Sequence, residues 1–64
     1  MDQEHIGKFI AECRKQKKMT QVELAEKLGV TEKSVNNWKN CRSMPHLSLF
    51  KPICDILDIS INEL

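Results

Sequence analysis

The sequence predicts an all-α fold in a single small domain. Apolar residues recur at the three- and four-residue spacing of one helix face, as in Ile6, Ile10 and Cys13. The chain has 64 residues, 41% of them hydrophobic and 30% charged, which is the balance of one soluble domain with a core of marginal size. The spacing gives no convincing strand, so we expect one helical domain over residues 1–64.

Five apolar stripes predict five helices in chain order. The first helix is expected to run from about residue 3 to 17. The later stripes are Leu24, Ala25 and Leu28 for the second helix, Val35 and Trp38 for the third, Leu49, Phe50, Ile53, Ile56 and Leu57 for the fourth, and Ile61 with Leu64 for the fifth.

Helix start signals support this division of the chain. Thr20 and Glu23 form a capping box, in which the hydroxyl accepts from a backbone N–H and the carboxylate reaches back to the cap. Ser60 and Glu63 repeat the box, and Thr31 is the expected cap of the third helix. These signals locate three helix starts independently of the apolar spacing.

The first and fourth helices have less regular starts. Asp2 is the expected cap of the first helix. Pro52 has no N–H and clashes with the carbonyl four residues back, so it belongs in a first turn or at a kink. If Ser48 caps the fourth helix, Pro52 is tolerated, whereas a start near Leu47 predicts a bend.

The connection between the second and third helices is the most informative stretch of the chain. Only two residues, one of them Gly29, separate the second helix from the Thr31 cap, so the chain must reverse direction abruptly. Ala25 is small enough to let the two helices approach closely. Together with the apolar Val35, this pattern is typical of a helix-turn-helix over about residues 20–40.

The net charge of +1 conceals an uneven distribution along the chain. Residues 14–42 contain eight Lys or Arg and three Glu, a net charge of +5, whereas residues 1–13 and 43–64 each carry −2. Each lysine or arginine that neutralises a phosphate releases a condensed counterion, so a surface that faces a polyanion needs such an excess. An ordinary solvated surface is the alternative.

The outer face of the third helix carries amides and a lysine. At about 100° per residue, placing Val35 inward turns four residues away from the core, namely Lys33, Asn36, Asn37 and Asn40. Asparagine is a poor helix former, so a helix that faces only solvent has no reason to repeat it. Asparagine can pair with the N6 and N7 edge of adenine, and lysine can donate to guanine O6 and N7. The face is predicted to contact base edges in a major groove.

Several segments together resemble the Xre-type, phage-lambda-repressor-like helix-turn-helix family. They are "TQVELAEKLGV" from Thr20, Trp38, the Pro45 connector and the closing "LDISINEL". The resemblance covers essentially the whole chain. It implies a compact five-helix DNA-binding bundle of bacterial or phage type, in which helices two and three form the helix-turn-helix and helix three enters the major groove.

The resemblance also implies contacts with DNA phosphates. Gln21 at the start of the second helix would bind a phosphate, aided by the partial positive charge of that helix N-terminus. Glu32 has two possible roles, because its carboxylate could accept a hydrogen bond from cytosine N4 or interact with the helix dipole. The further phosphate contacts would be Thr31, the backbone N–H groups near Asn40, Arg42 and, more weakly, Lys39.

Two departures from the family pattern concern charge and backbone geometry. Lys39 stands where relatives usually have a glutamate that pairs with an arginine, matched here by Arg14, so this ion pair is expected to be absent. Relatives usually have glycine at the positions of Lys18 and Cys41. We expect Asn40 to take the left-handed conformation instead, with a strained Cys41 as the alternative.

Catalysis, metal binding and membrane insertion have little support. His5 and His46 stand apart from any nucleophile, and no glycine-rich phosphate loop is present. The three cysteines cannot all pair and lack the spacing of a zinc site, so reduced thiols without metal or cofactor are expected. No apolar run could cross a bilayer and no signal-peptide pattern follows Met1, which predicts a cytoplasmic protein, and the lack of a catalytic arrangement predicts that it is not an enzyme.

The combined expectation is a sequence-specific transcriptional regulator, with repression the favoured mode, that binds double-stranded DNA as a homodimer. The alternatives are a protein-interaction helix bundle and an antitoxin that binds DNA and pairs with a toxin. The last helix starts at Ser60 and reaches the chain end within about one turn. We therefore expect an amino-terminal portion of a longer protein, with effector or oligomer contacts in the remainder.

Overall fold

The computed structural model describes residues 3–63, and all regular secondary structure within this range is helical. The predicted all-α class is confirmed. Four α-helices lie in this span: α1 (Gln3–Gln16), α2 (Gln21–Leu28), α3 (Glu32–Lys39) and α4 (Phe50–Leu57). Two single 3-10 turns complete it, Leu47–Leu49 before α4 and Ile61–Glu63 after it.

The prediction of five α-helices is wrong, because the fifth segment of the described chain is one 3-10 turn. Its cap does form, since Glu63 Oε2 accepts from the Ser60 N–H and Ser60 Oγ accepts from the Asn62 N–H, both at 3.1 Å. The Glu63 N–H donates to the Ser60 carbonyl at 3.0 Å, which is a bond across three residues. So short a segment closes one such turn and no α-helical ladder.

The helix-turn-helix forms with the predicted caps. The Glu23 N–H donates to Thr20 Oγ1 at 3.1 Å, and the Thr20 N–H donates to Glu23 Oε1 at 3.0 Å, so both halves of the capping box are present. Thr31 Oγ1 accepts from the Ser34 N–H at 3.1 Å. Gly29 ends α2 at φ 73°, the left-handed conformation that glycine adopts without strain.

A backbone contact between α1 and α3 was not predicted from the sequence. Gly7 is buried, and a Cβ atom built on it would lie 2.9 Å from the carbonyl carbon of Trp38 and closer still to its oxygen. Any side chain larger than hydrogen would therefore force the two helices apart. Gly7 thus lets α1 fix the carboxyl-terminal end of α3.

Helix α4 begins with Leu49 as its cap residue, without a side-chain capping bond. Pro52 is therefore in the first turn, as predicted, where its missing N–H costs nothing, but the cap from which this position was predicted is not found. Ser48 is not the cap of α4. Instead, His46 Nδ1 accepts from the Ser48 N–H at 3.1 Å and caps the preceding 3-10 turn. The expected cap at Asp2 lies outside the described residues.

Helix α3 exits through Cys41, which has φ 61°, whereas Asn40 has φ −91°. The expectation that Asn40 takes the left-handed conformation is wrong. The Arg42 N–H donates to the Asn37 carbonyl at 2.8 Å and the Cys41 N–H to the Trp38 carbonyl at 3.1 Å. This pair of bonds is a Schellman motif, which requires the left-handed residue one position after the cap. Two further exits have non-glycine residues at positive φ, Lys18 and Asp58.

The first four predicted apolar stripes pack into one core, whereas Ile61 of the fifth stripe is 53% exposed and Leu64 lies outside the described residues. The centre of the core lies where Ile6, Ile10, Leu24, Ile53 and Leu57 are almost fully buried. All three cysteines are thiols, and burial raises the pKa of the Cys13 and Cys54 thiols above the usual value. The remaining core members are Cys13, Ala25, Val35, Trp38, Phe50 and Cys54.

Candidate nucleic-acid interface

The inward and outward sides of α3 are clearly separated. Val35 and Trp38 are 3% and 4% exposed and belong to the core. The four polar residues predicted to face away from the core remain accessible to different degrees. Lys33 and Asn40 are exposed, whereas Asn36 and Asn37 are half-buried.

The start of α2 and the first half of α3 together line a cavity. Gln21, Glu32, Lys33 and Asn36 surround this open space of about 340 Å³. The structure thereby brings a residue predicted to bind phosphate beside residues predicted to face bases. This space, which we call the seam cavity, offers amide and ammonium donors together with one carboxylate acceptor. These are the groups that proteins use to contact base edges and phosphates.

The side-chain oxygen of Gln21, Oε1, is buried beside this cavity without a hydrogen-bond partner among the described residues. A buried acceptor without a donor costs roughly 1–3 kcal/mol. The side chain is half-buried as a whole, so a bound group that supplied a donor or drew the amide outward would relieve this cost.

Thr31 is engaged in capping, which limits how it could contact DNA. Its Oγ1 accepts from the Ser34 N–H and lies 3.1 Å from Ser34 Oγ, where either hydroxyl can be the donor. When Ser34 donates, the Thr31 proton can point to an external acceptor such as a phosphate oxygen.

The exit of α3 presents side chains rather than backbone donors. The N–H groups of Asn40, Cys41 and Arg42 all donate to carbonyls of α3, so they are not directed outward. The side chains of Asn40 and Arg42 are both exposed, so they are more accessible than these N–H groups for the phosphate contacts expected near Asn40. Lys39, also exposed, lies toward α1 and lines a cavity with Lys15.

Arg14 supports the site from behind. It is 8% exposed, and its Nη1 donates to the Met19 carbonyl at 2.6 Å. The Met19 N–H in turn donates to the Arg14 carbonyl at 3.0 Å. These bonds tie the end of α1 to the residue before the Thr20 cap, and so help to place the start of α2.

Residues 3–63 contain neither a cluster of metal-binding side chains nor a helix that could span a membrane. No three or more His, Cys, Asp or Glu side chains are close enough together to hold a metal ion. None of the helices in this span has both the length and the apolar character needed to cross a membrane.

Comparison with known proteins identifies the family. The helix-turn-helix family matches residues 10–64. An uncharacterized HTH-type transcriptional regulator of Bacillus subtilis (strain 168), YqaE, is 36% identical over 55 residues, which are 86% of this chain and 47% of that protein. The chain thus spans about half the length of that relative.

A solved structure, the crystal structure of Apo-HppE, contains the same fold in part of its chain. It superposes with a TM-score of 0.86 at 26% identity, covering 98% of this chain and 35% of that chain. The family match covers most of the sequence and includes the whole helix-turn-helix. The chain belongs to the Xre-type, lambda-repressor-like helix-turn-helix family of DNA-binding transcription regulators.

Proposed function

We propose that the chain binds double-stranded DNA sequence-specifically, inserts α3 into the major groove and represses transcription by covering a promoter. The observation that carries this proposal is the two-sided character of α3. Val35 and Trp38 anchor one side in the core, while Lys33 and the asparagines form the accessible side. A protein of this function acts in the cytoplasm, where bacterial and phage DNA is transcribed.

Base recognition is assigned to the accessible side of α3. Asn36 and Asn37 carry the amides suited to adenine, and Lys33 carries the ammonium suited to guanine. Glu32 is exposed and lines the seam cavity beside Lys33, which favours contact with a cytosine N4 donor over a role limited to the helix dipole.

Phosphate contacts are assigned to residues at the start of α2, at the start of α3 and at the exit of α3. At the start of α2, the positive end of the helix dipole adds to the donor capacity of the Gln21 amide. These contacts set affinity and register rather than sequence preference. The assigned residues are Gln21, Thr31, Lys39, Asn40 and Arg42.

The active species is proposed to be a homodimer. Leu47 and Ile61 are 77% and 53% exposed, and both belong to 3-10 turns that contact α4. Exposed aliphatic residues of this kind are candidates for a subunit contact. Segments beyond the chain, which spans about half of its Bacillus subtilis relative, are a further candidate source of effector or subunit contacts.

The proposal is tested with a randomised pool of fluorescent duplexes at several salt concentrations. Binding should weaken by about 0.9 log unit per log unit of salt for each phosphate contact. On the selected sequence, Lys33→Ala and Asn37→Ala should each lose about 1–3 kcal/mol of discrimination between bases. Lys51→Ala, an exposed lysine of α4, is the matched control and should leave discrimination unchanged.

Two outcomes count against the proposal in different ways. If both α3 variants retain full discrimination, the assignment of base contacts to this face is wrong. If the unmodified chain binds no duplex, or binds without salt dependence, the result favours a helix bundle that binds proteins.

A further inference from the structure

A cationic groove runs between α1 and α3, outside the seam cavity described above. It is lined by Lys8, Ala11, Glu12, Lys15 and Lys39 and encloses an open space of about 270 Å³. Ala11 is 8% exposed, whereas the charged residues that line the groove are exposed. Three ammonium groups against one carboxylate give the groove a positive lining.

The spacing of the two helices around this groove is rigidly set. Gly7 brings the α1 backbone against the Trp38 carbonyl, immediately before Lys39. Because this contact is between backbones, small side-chain motions cannot separate α1 from α3. Lys15 of α1 and Lys39 of α3 line the same cavity, where their like charges favour a bound anion.

Two of the three ammonium groups are not neutralised by ion pairs. Lys8 Nζ donates to Glu4 Oε1 at 2.8 Å, and this hydrogen bond together with the carboxylate charge raises the pKa of Lys8. In the described part of the chain, the ion pairs involve Lys8 and Lys17, so neither Lys15 nor Lys39 takes part in one. Glu12 is the one lining group that opposes an anion.

We propose that this α1–α3 groove is a phosphate-binding site in which Lys15 and Lys39 hold the phosphate group and Glu12 limits the affinity. Lysine binds phosphate as a point charge and needs no fixed fork geometry, which suits two flexible side chains on separate helices that line one cavity. The phosphate could belong to the DNA backbone beside α3 or to a free phosphorylated ligand. Only the first source rests on the proposed DNA-binding function.

The DNA source is tested by salt dependence in the 64-residue chain. Lys15→Gln combined with Lys39→Gln should reduce the slope of log affinity against log salt by about 1.8, because two phosphate contacts are lost. Lys27→Gln combined with Lys51→Gln removes the same charge from exposed positions outside the groove and should leave the slope nearly unchanged. Glu12→Gln should raise the affinity, and none of these changes should alter the preferred sequence.

The free-ligand source is tested by titration with inorganic phosphate at constant ionic strength. Amide NMR signals of Ala11, Lys15 and Lys39 should shift and saturate, and the double variant at Lys15 and Lys39 should abolish the shifts while its other signals show an intact fold. Saturating shifts with an unchanged salt slope support the groove with a free ligand as its source. If the chain binds no duplex, saturating shifts still support the groove as a phosphate site, and only the proposed DNA-binding function is overturned. An unchanged slope without saturating shifts overturns the groove proposal.

Discussion

Gly7 shows how a neighbouring backbone can determine a residue that its own helix would disfavour. Glycine inside a helix costs about 1 kcal/mol relative to alanine, so Gly7→Ala would ordinarily stabilise α1. Here the added methyl group meets the Trp38 carbonyl, and we expect a net loss of about 1–3 kcal/mol in the free energy of unfolding. Urea denaturation measures the change, with Gln16→Ala in the last turn of α1 as a control that should be nearly neutral.

A stabilised Gly7→Ala variant would show that α1 and α3 are not in backbone contact at this point. The base preference provides a second measurement, because Gly7 also fixes the end of α3. If α3 is displaced, the variant should lose discrimination between sequences while its salt dependence is retained.

Lys18 has φ 55°, which disfavours any residue with a Cβ atom. The left-handed conformation costs roughly 1–2 kcal/mol for a residue with a Cβ atom. Glycine avoids this cost, but it increases the conformational entropy of the unfolded chain, which offsets part of the gain. We expect Lys18→Gly to raise the free energy of unfolding by about 0.5–1 kcal/mol. Thermal or urea unfolding tests this, with Lys18→Ala as a control that keeps the Cβ atom and should gain nothing.

Equal loss of stability in both Lys18 variants would mean that the lysine side chain, rather than the backbone conformation, matters at this exit. As a contrast, Glu26→Gly in the exposed part of α2 should lose about 1 kcal/mol, since that residue has ordinary helical geometry.

At the scale of elements, the start of α2 depends on the Thr20 and Glu23 capping box. Removing the hydroxyl in Thr20→Ala should cost about 1 kcal/mol of stability. Glu23 adds a pH dependence, because its hydrogen bonds with the Thr20 backbone and side chain lower the pKa of its carboxyl. This contribution is present above the unfolded-state pKa of about 4.3 and is lost as the pH falls through the lower folded-state value.

Glu23→Gln isolates that contribution. At neutral pH the variant should be less stable than the unmodified chain, and the difference between the two should shrink as the pH falls below about 4.3. Urea midpoints at a series of pH values give the comparison, and subtraction removes the titration of the other carboxylates. A difference that stays constant with pH would show that the ionised carboxylate does not stabilise the cap.

The elements also show what the sequence can and cannot predict. Side-chain caps were predicted correctly at Thr20 and Thr31, because a cap involves residues three positions apart in the chain. The left-handed residue at the end of α3 is Cys41, whereas the sequence favoured Asn40. Its position can be predicted only if the last residue of α3 is known to within one position. The fifth helix failed because a stripe of two residues cannot distinguish an α-helix from a single 3-10 turn.

The site divides in the same way. The direction of Val35 and Trp38 follows from helical periodicity, which orders all other residues of α3 around its axis. The buried Gln21 oxygen and the α1–α3 groove depend on how separate helices meet, and no spacing within one helix predicts that. Gly7 could have been noticed as an unfavourable residue in a helix, but its partner could not have been named.

At the scale of the whole molecule, size limits how much DNA one chain can contact. The bundle measures 25 by 24 by 21 Å, which is less than the 34–36 Å of one helical turn of DNA. One copy can therefore place its single α3 in one major groove. Two copies related by two-fold symmetry would contact successive grooves on one face of the duplex, so the proposed homodimer gains specificity without a longer recognition helix.

The dimer leads to a prediction about the spacing of its two half-sites. Sequences selected from a random pool should contain inverted repeats with centres about 10 to 10.5 base pairs apart. Insertion of five base pairs between the half-sites turns one site to the opposite face of the duplex, so cooperative binding should be lost while each half-site keeps its affinity. The same insertion outside the repeats is the control.

Titrations by gel shift separate singly and doubly bound DNA and so measure this cooperativity. Leu47→Ser should reduce it if this exposed leucine lies in the subunit contact. Selected sites without symmetry, or cooperativity that survives the half-turn insertion, would mean that the chain binds as a monomer or that flexible segments join its copies.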